Sequence, residues 1–182
     1  SLKDFFRREK ISTDALKGIS FEINKGEFVG FLGPNGAGKT TTLKMLTGIL
    51  TPTSGEAKIL GYTPWKRENA FKKKFSFIMG QKGQLWWDLP PLDSYELFKH
   101  IYEIPEEKYK KNLKFLTELL QIEDVIEVQT RKLSLGQRMK AELVGALIHG
   151  PEILFLDEPT IGLDVVAQHS IREFLKAYNK ET

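Results

Sequence analysis

Gly33-Pro34-Asn35-Gly36-Ala37-Gly38-Lys39-Thr40 fits the pattern G-x-x-x-x-G-K-[ST] and is followed by Thr41. Glycines at these positions let the backbone curl until successive N–H groups point into one concavity at the start of a helix, a geometry that cradles phosphate. Lys39 can then reach the outer phosphates of a nucleoside triphosphate, and the Thr40 hydroxyl can ligate Mg2+. The flanks suit this reading. Glu27 to Leu32 carries Phe28, Val29, Phe31 and Leu32, apolar enough for a strand buried on both faces. A helix is expected from about Lys39 until Gly48.

Working outward, Ile19-Ser20-Phe21-Glu22-Ile23 has period two, and Asn24-Lys25-Gly26 reads as a hairpin loop with glycine at the left-handed position. Thr51 to Gly55 is a loop by composition, and short strands are expected at Ala57–Leu60 and Phe75–Met79. The pattern then turns helical. Asp93 with Glu96 three residues on resembles a capping box, ahead of Tyr95, Phe98, Ile101 and Tyr102 at helical spacing. Pro105 opens a helix with Glu106 and Glu107 in its first turn and a stripe of Tyr109, Leu113, Leu116 and Leu120. Another helix runs from Ser134 to Gly150-Pro151, with His149 read as a cation at its C-terminus. Strand chemistry returns at Ile153–Leu156, and a last helix after Asp164 turns Ile171, Phe174, Leu175 and Tyr178 inward. The pattern is an α/β sheet domain, residues 1–81 and 150–182, carrying a helical insertion over 82–149.

Two further stretches carry chemistry. Ile153-Leu154-Phe155-Leu156 ends in Asp157 and Glu158, and a sheet strand delivers such terminal acids to the carboxyl edge where ligands bind. Asp157 fits an acid that holds Mg2+, and Glu158 a base that orients water toward the γ-phosphate. A strand ending in solvated acids is the plainer reading of the pair alone. In Leu133-Ser134-Leu135-Gly136-Gln137, Ser134 and Gln137 form a capping box. The same hydroxyl, glycine and exposed N–H groups also suit an anion, either a second nucleotide or a phosphate held by a neighbouring molecule.

Composition narrows the field. In 182 residues, 27 Lys and Arg balance 24 Asp and Glu for a net charge of +3, so no nucleic-acid partner is expected. Lys72-Lys73-Lys74 reads as solvated surface. No run of about 18 apolar residues offers a membrane span, and no signal-peptide pattern opens the chain. The absence of cysteine excludes disulfides, thiol catalysis and cysteine-ligated zinc.

In their order, these motifs resemble the ATP-binding subunit of ABC transporters, an α/β P-loop NTPase with a RecA-like core, an N-terminal antiparallel β subdomain and a helical insertion. Gly33, Pro34, Asn35, Gly36, Ala37, Gly38, Lys39, Thr40 and Thr41 look like its nucleotide-binding Walker A region, and Gln81 like the Q-loop glutamine. Ser134, Leu135, Gly136 and Gln137 are similar to the LSGGQ signature, Asp157 and Glu158 to the Walker B pair, and Asp164 to the D-loop aspartate. The resemblance implies ATP and Mg2+ as ligands, with Glu158 and Gln81 catalytic, Thr40, Gln81 and Asp157 around the metal, and Phe6 (or Phe5) stacked on adenine. It also implies a head-to-tail dimer, expected as a homodimer, whose signature residues touch the partner's γ-phosphate. Gly80 to Pro90 and Leu133 to Met139 look like type 2 exporters grouped with drug, daunorubicin and viologen efflux.

Leu135 departs from the signature's first glycine. None of the three histidines, His100, His149 and His169, fits the family's switch histidine. Together with an opening at Ser1, this suggests a chain cut from a longer protein at both ends. Trp86-Trp87 with Pro90-Pro91 is expected to be a loop that leaves at least one ring free for a partner. The resemblance places Gln84–Tyr95 against a membrane permease, hence a cytoplasmic protein on the inner face of the cell membrane. The leading function is an ATP-hydrolysing exporter motor. A soluble ABC ATPase acting on ribosomes or DNA, or a nucleotide-binding module without turnover, are the alternatives.

Overall fold

A computed structural model describes residues 16–80 and 82–181. In chain order its elements are α1 (Lys39–Leu46), α2 (Asn69–Lys72), β1 (Phe75–Met79), α3 (Pro91–Ile101), α4 (Glu106–Leu120), α5 (Leu135–Leu147), β2 (Ile153–Asp157) and α6 (Val165–Glu181). The two strands pair in parallel, from Phe75 opposite Ile153 to Met79 opposite Asp157. Parallel neighbours need a crossover connection, and α3, α4 and α5 lie within it.

The core gathers around α5. Its second half is buried on every side from Ala141 to Leu147, as expected of a helix surrounded by other elements. It packs against β1, α3, α4 and α6. Ser76 of β1 donates its hydroxyl to the Ala146 carbonyl, and the buried Tyr95 of α3 donates to the Ala141 carbonyl at 2.9 Å. Gly145 lets the helices close: a Cβ there would stand 3.0 Å from a ring carbon of Phe98. The stripe on α4 buries Tyr109, Leu116 and Leu120, with Leu113 partly covered. On α6, Ile171, Phe174 and Leu175 turn inward.

Helices end where expected when a cap or a glycine marks the boundary. α1 stops before Gly48, whose φ of +73° and a would-be Cβ 2.2 Å from the Pro64 carbonyl oxygen exclude a side chain. At α5 the capping box forms, with Gln137 N donating to Ser134 Oγ at 3.2 Å and Ser134 N to Gln137 Oε1 at 3.0 Å.

Four expectations need correction. Residues 19–23 and 27–32 form no strand ladder, although the turn between them forms, with Glu27 N donating to Asn24 O at 3.2 Å and Gly26 at φ +84°. An extended segment becomes a strand only beside a partner, and among the described residues neither segment has one. Phe28, Val29 and Leu32 are consequently exposed, Leu32 at 97%. Ala57–Leu60 is reduced to one bridge between Ile59 and Tyr62, because Leu60 and Gly61 both take positive φ and turn the chain back. Asp93 is not a cap: α3 starts earlier at Pro91, whose fixed φ suits a first helical position, and has no side-chain cap. Finally, His149 is not a cation. It is buried, stacked flat on Tyr102 at 3.9 Å, and burial pushes its pKa down to about 4. The Phe75 backbone nearby opposes that shift without meeting hydrogen-bond geometry at either ring nitrogen.

Candidate functional site

The end of β2 sets the site. Asp157 is its last residue, and Glu158 follows, exposed and at φ +51°, a left-handed conformation that non-glycine residues adopt at a cost. The strand register brings Gly80 alongside. Gly80 N donates to the Asp157 carbonyl at 2.9 Å, and a Cβ on Gly80 would lie 2.2 Å from the Glu158 carbonyl oxygen. Only a residue without a side chain permits this approach.

α1 packs on β2 and brings Thr40 to the same point. Thr40 Oγ1 donates to Asp157 Oδ1 at 2.9 Å, joining residues 117 positions apart. A cleft of about 220 Å³ opens there, lined by Thr40, Lys44, Met79, Gly80, Lys82, Asp157 and Glu158.

The loop before α1 is curled by Gly36 at φ +83° and Gly38 at φ +88°, with Ala37 N donating to the Pro34 carbonyl at 3.2 Å. The first intrahelical bond runs from Thr42 N to Gly38 O at 2.8 Å. The N–H groups from Gly38 to Thr41 are therefore those that a helix start leaves without intrahelical acceptors. Lys39 folds back, its ammonium donating to the Gly33 carbonyl at 2.7 Å and the Pro34 carbonyl at 2.9 Å. Carbonyl oxygens here hold the cation where phosphate oxygens could replace them. One hydroxyl and one carboxylate, Thr40 and Asp157, fit Mg2+, which takes few protein ligands and completes its shell with phosphate oxygens and water.

Other expected site residues lie elsewhere. Ser134, Leu135, Gly136 and Gln137 sit at the start of α5 and do not line the cleft. Leu135 is exposed and lies over Gly162, and a Cβ on Gly136 would meet the Ala167 Cβ at 3.1 Å. Asp164 caps α6, its carboxylate accepting Ala167 N at 2.8 Å. Gln81, Phe6 and Phe5 are outside the described residues. Of the segment from Gln84 to Tyr95, Trp86, Trp87, Asp88 and Leu89 are exposed, while Leu85, Pro91, Ser94 and Tyr95 are buried.

Sequence reading missed Lys44, Lys82 and Gly80, which line the cleft, and Glu142, which is buried on α5 outside it. Thr40 and Lys44 are four apart on one helix, so their shared face was legible. Glu142, a lone acid among Ala141, Leu143 and Val144, also signals itself. Nothing in the sequence shows that Gly80 meets the Glu158 backbone.

A phosphate-binding loop whose threonine reaches the acid at the end of a parallel strand defines a P-loop NTPase. More narrowly, the chain belongs to the ABC transporter family, whose sequence profile matches residues 16–161. It is 31% identical to the ABC transporter ATP-binding protein NatA of Bacillus subtilis, over 97% of this chain and 72% of that protein. It is 35% identical to the probable multidrug ABC transporter ATP-binding protein YbhF of Escherichia coli over 86% of this chain, but spans 26% of YbhF. Against the Nod factor export ATP-binding protein I of Ralstonia nicotianae it is 34% identical, over 88% of this chain and 50% of that one. Among solved structures, the ATP-binding subunit of an ABC transporter superposes with a TM-score of 0.80 at 28% identity, covering 92% of this chain and 69% of that one. A dimeric ATP-binding cassette in a post-hydrolysis state, bound to ADP and Pi, gives 0.80 at 27%, covering 97% and 79%.

Proposed function

We propose that this chain is the ATP-binding and ATP-hydrolysing motor subunit of an ABC exporter, acting with a separate membrane subunit. The observation that carries the reading is the Thr40–Asp157 hydrogen bond with Glu158 at the mouth of the same cleft. The N–H groups around Gly38 to Thr41 bind phosphate oxygens, and Lys39 exchanges its loop carbonyls for the outer phosphates. Thr40 and Asp157, with Gln81, hold Mg2+, which offsets charge on the phosphates when bound. Glu158 accepts a hydrogen bond from the attacking water and takes its proton. Phe6 (or Phe5) stacks on adenine. Residues 1–81 and 150–182 serve as the nucleotide-binding core and 82–149 as the helical subdomain.

A second copy completes the site. The exposed start of α5 offers Ser134, Gly136 and Gln137 to the partner's γ-phosphate, with Asp164 nearby; the dimeric cassette among the structural relatives supports this arrangement. Trp86 and Trp87, 48% and 54% exposed, support docking of the membrane subunit on this side. The protein then works at the cytoplasmic face of the membrane. Names such as multidrug and Nod factor export among the relatives favour an exporter.

Glu158→Gln separates binding from chemistry, because size and hydrogen bonding stay while basicity goes. MgATP should bind as before and hydrolysis should fall by about 100- to 10,000-fold, with ATP-held dimers accumulating on a sizing column. Unimpaired turnover would remove Glu158 from its role.

A further inference from the structure

The chain that leaves the cleft at Lys82 is fastened to α5 by one buried acid. Glu142 is 5% exposed. Its carboxylate accepts Gln84 N at 2.8 Å on Oε2 and Leu85 N at 3.4 Å on Oε1. Gly83 runs so close that a Cβ would stand 2.6 Å from Oε1. Burial raises the pKa of Glu142, while the two N–H donors and the Arg138 charge oppose the rise. Arg138, one turn earlier on α5, also sits over the Trp87 ring at 5.1 Å.

The tie continues past this point. Trp86 N donates to Ser94 Oγ at 3.2 Å, Arg131 N to the Trp87 carbonyl at 3.0 Å, and Thr130 N to the Leu89 carbonyl at 3.0 Å. The two tryptophans therefore stand on a braced strap. One end of the strap lines the cleft and its middle hangs on Glu142. An apolar residue would pack in the α5 core without the desolvation cost of a carboxylate. The two N–H groups reach separate oxygens, Oε2 and Oε1, and a carboxylate presents an acceptor to each.

We propose that Glu142 is a positioning residue that makes the strap from Lys82 to Trp87 and helix α5 one mechanical unit, so that occupancy of the cleft is felt at the tryptophan surface. The proposal rests on the nucleotide reading of the cleft. Without the carboxylate, movement at Gly80 and Lys82 would be absorbed by a loosened Gly83–Leu85 and would not reach Trp86 and Trp87.

The test uses the intact chain carrying Trp65→Phe, which leaves Trp86 and Trp87 as its emitters. MgATP should change their emission, and amide hydrogen exchange should show Gln84 and Leu85 protected. Adding Glu142→Gln, which puts an NH2 donor in place of one of the two accepting oxygens, should speed exchange at those two amides about tenfold. The emission response should fall severalfold, with MgATP affinity, measured by calorimetry, unchanged. An undiminished response in that variant would overturn the proposal. So would absence of a response in the parent despite MgATP binding, or free exchange of Gln84 and Leu85 in the parent, which decides the matter even if Glu142→Gln fails to fold. Failure of the parent to bind MgATP would instead overturn the nucleotide reading, and the exchange data would still judge the clamp.

Discussion

Lys39 holds its charge against two loop carbonyls, so the phosphate-binding role proposed for it is an exchange of partners rather than a new placement. Lys39→Ala removes charge-assisted hydrogen bonds to phosphate and should raise the Kd for MgATP about a hundredfold. Calorimetry reads this directly, and unchanged affinity would dismiss the loop assignment. The loss stops short of complete because Lys44 and Lys82 also line the cleft. His149 supplies a separate residue-scale test. Its pKa lies near 4 when folded against an ordinary 6.5. Between those values the unfolded chain binds a proton that the folded one refuses, so stability falls as pH drops through this window, by about 3 kcal/mol at its lower end. His149→Phe keeps a flat ring on Tyr102 and removes that term. Urea unfolding at pH 7 and pH 4.5 should show the variant gaining on the parent by about 2–3 kcal/mol at the lower pH. Equal acid sensitivity in both would show that another group governs it.

At the scale of elements, the parallel register of β1 and β2 places the end of one strand against the turn that leaves the other. Gly80→Ala forces a methyl group into the Glu158 carbonyl. The expected cost is about 1–3 kcal/mol of stability, with weaker MgATP binding because the Asp157–Glu158 backbone must shift. Urea unfolding and calorimetry on one sample check both, and a variant indistinguishable from the parent would refute the close approach. Elements were legible where local chemistry decides them. The Ser134–Gln137 box starts α5, Gly48 ends α1, and acids fill the first turn of α4. The alternation in residues 19–23 and the apolar run in 27–32 were just as clear, but a strand depends on a neighbour that its own sequence cannot supply.

For the whole molecule, the exposed tryptophans raise the question of what they meet. Trp87 shares its ring with Arg138, and Trp86 is held through its backbone, so neither ring belongs to the core. Trp86→Ala with Trp87→Ala should change stability by no more than about 1 kcal/mol and leave MgATP affinity intact. Co-purification with the membrane subunit should drop, since large exposed aromatics on a braced loop are effective anchors. Unfolding of the double variant would show that the rings are packing instead.

The sequence by itself determined the class of this protein. The loop of Gly33–Thr40, the strand ending in Asp157 and Glu158, and the capped helix after Ser134 are local patterns whose chemistry needs no knowledge of the rest of the chain. Tertiary structure alone decided which of these meet. It joins Thr40 to Asp157 across 117 residues, sets Gly80 under the Glu158 carbonyl, and leaves Ser134–Gln137 outside the cleft. It also turns Glu142 from an oddity in an apolar helix into the fastening of the strap. Hydrogen-bond partners and close approaches between distant segments depend on packing, and packing is a property of the folded chain rather than of any stretch within it.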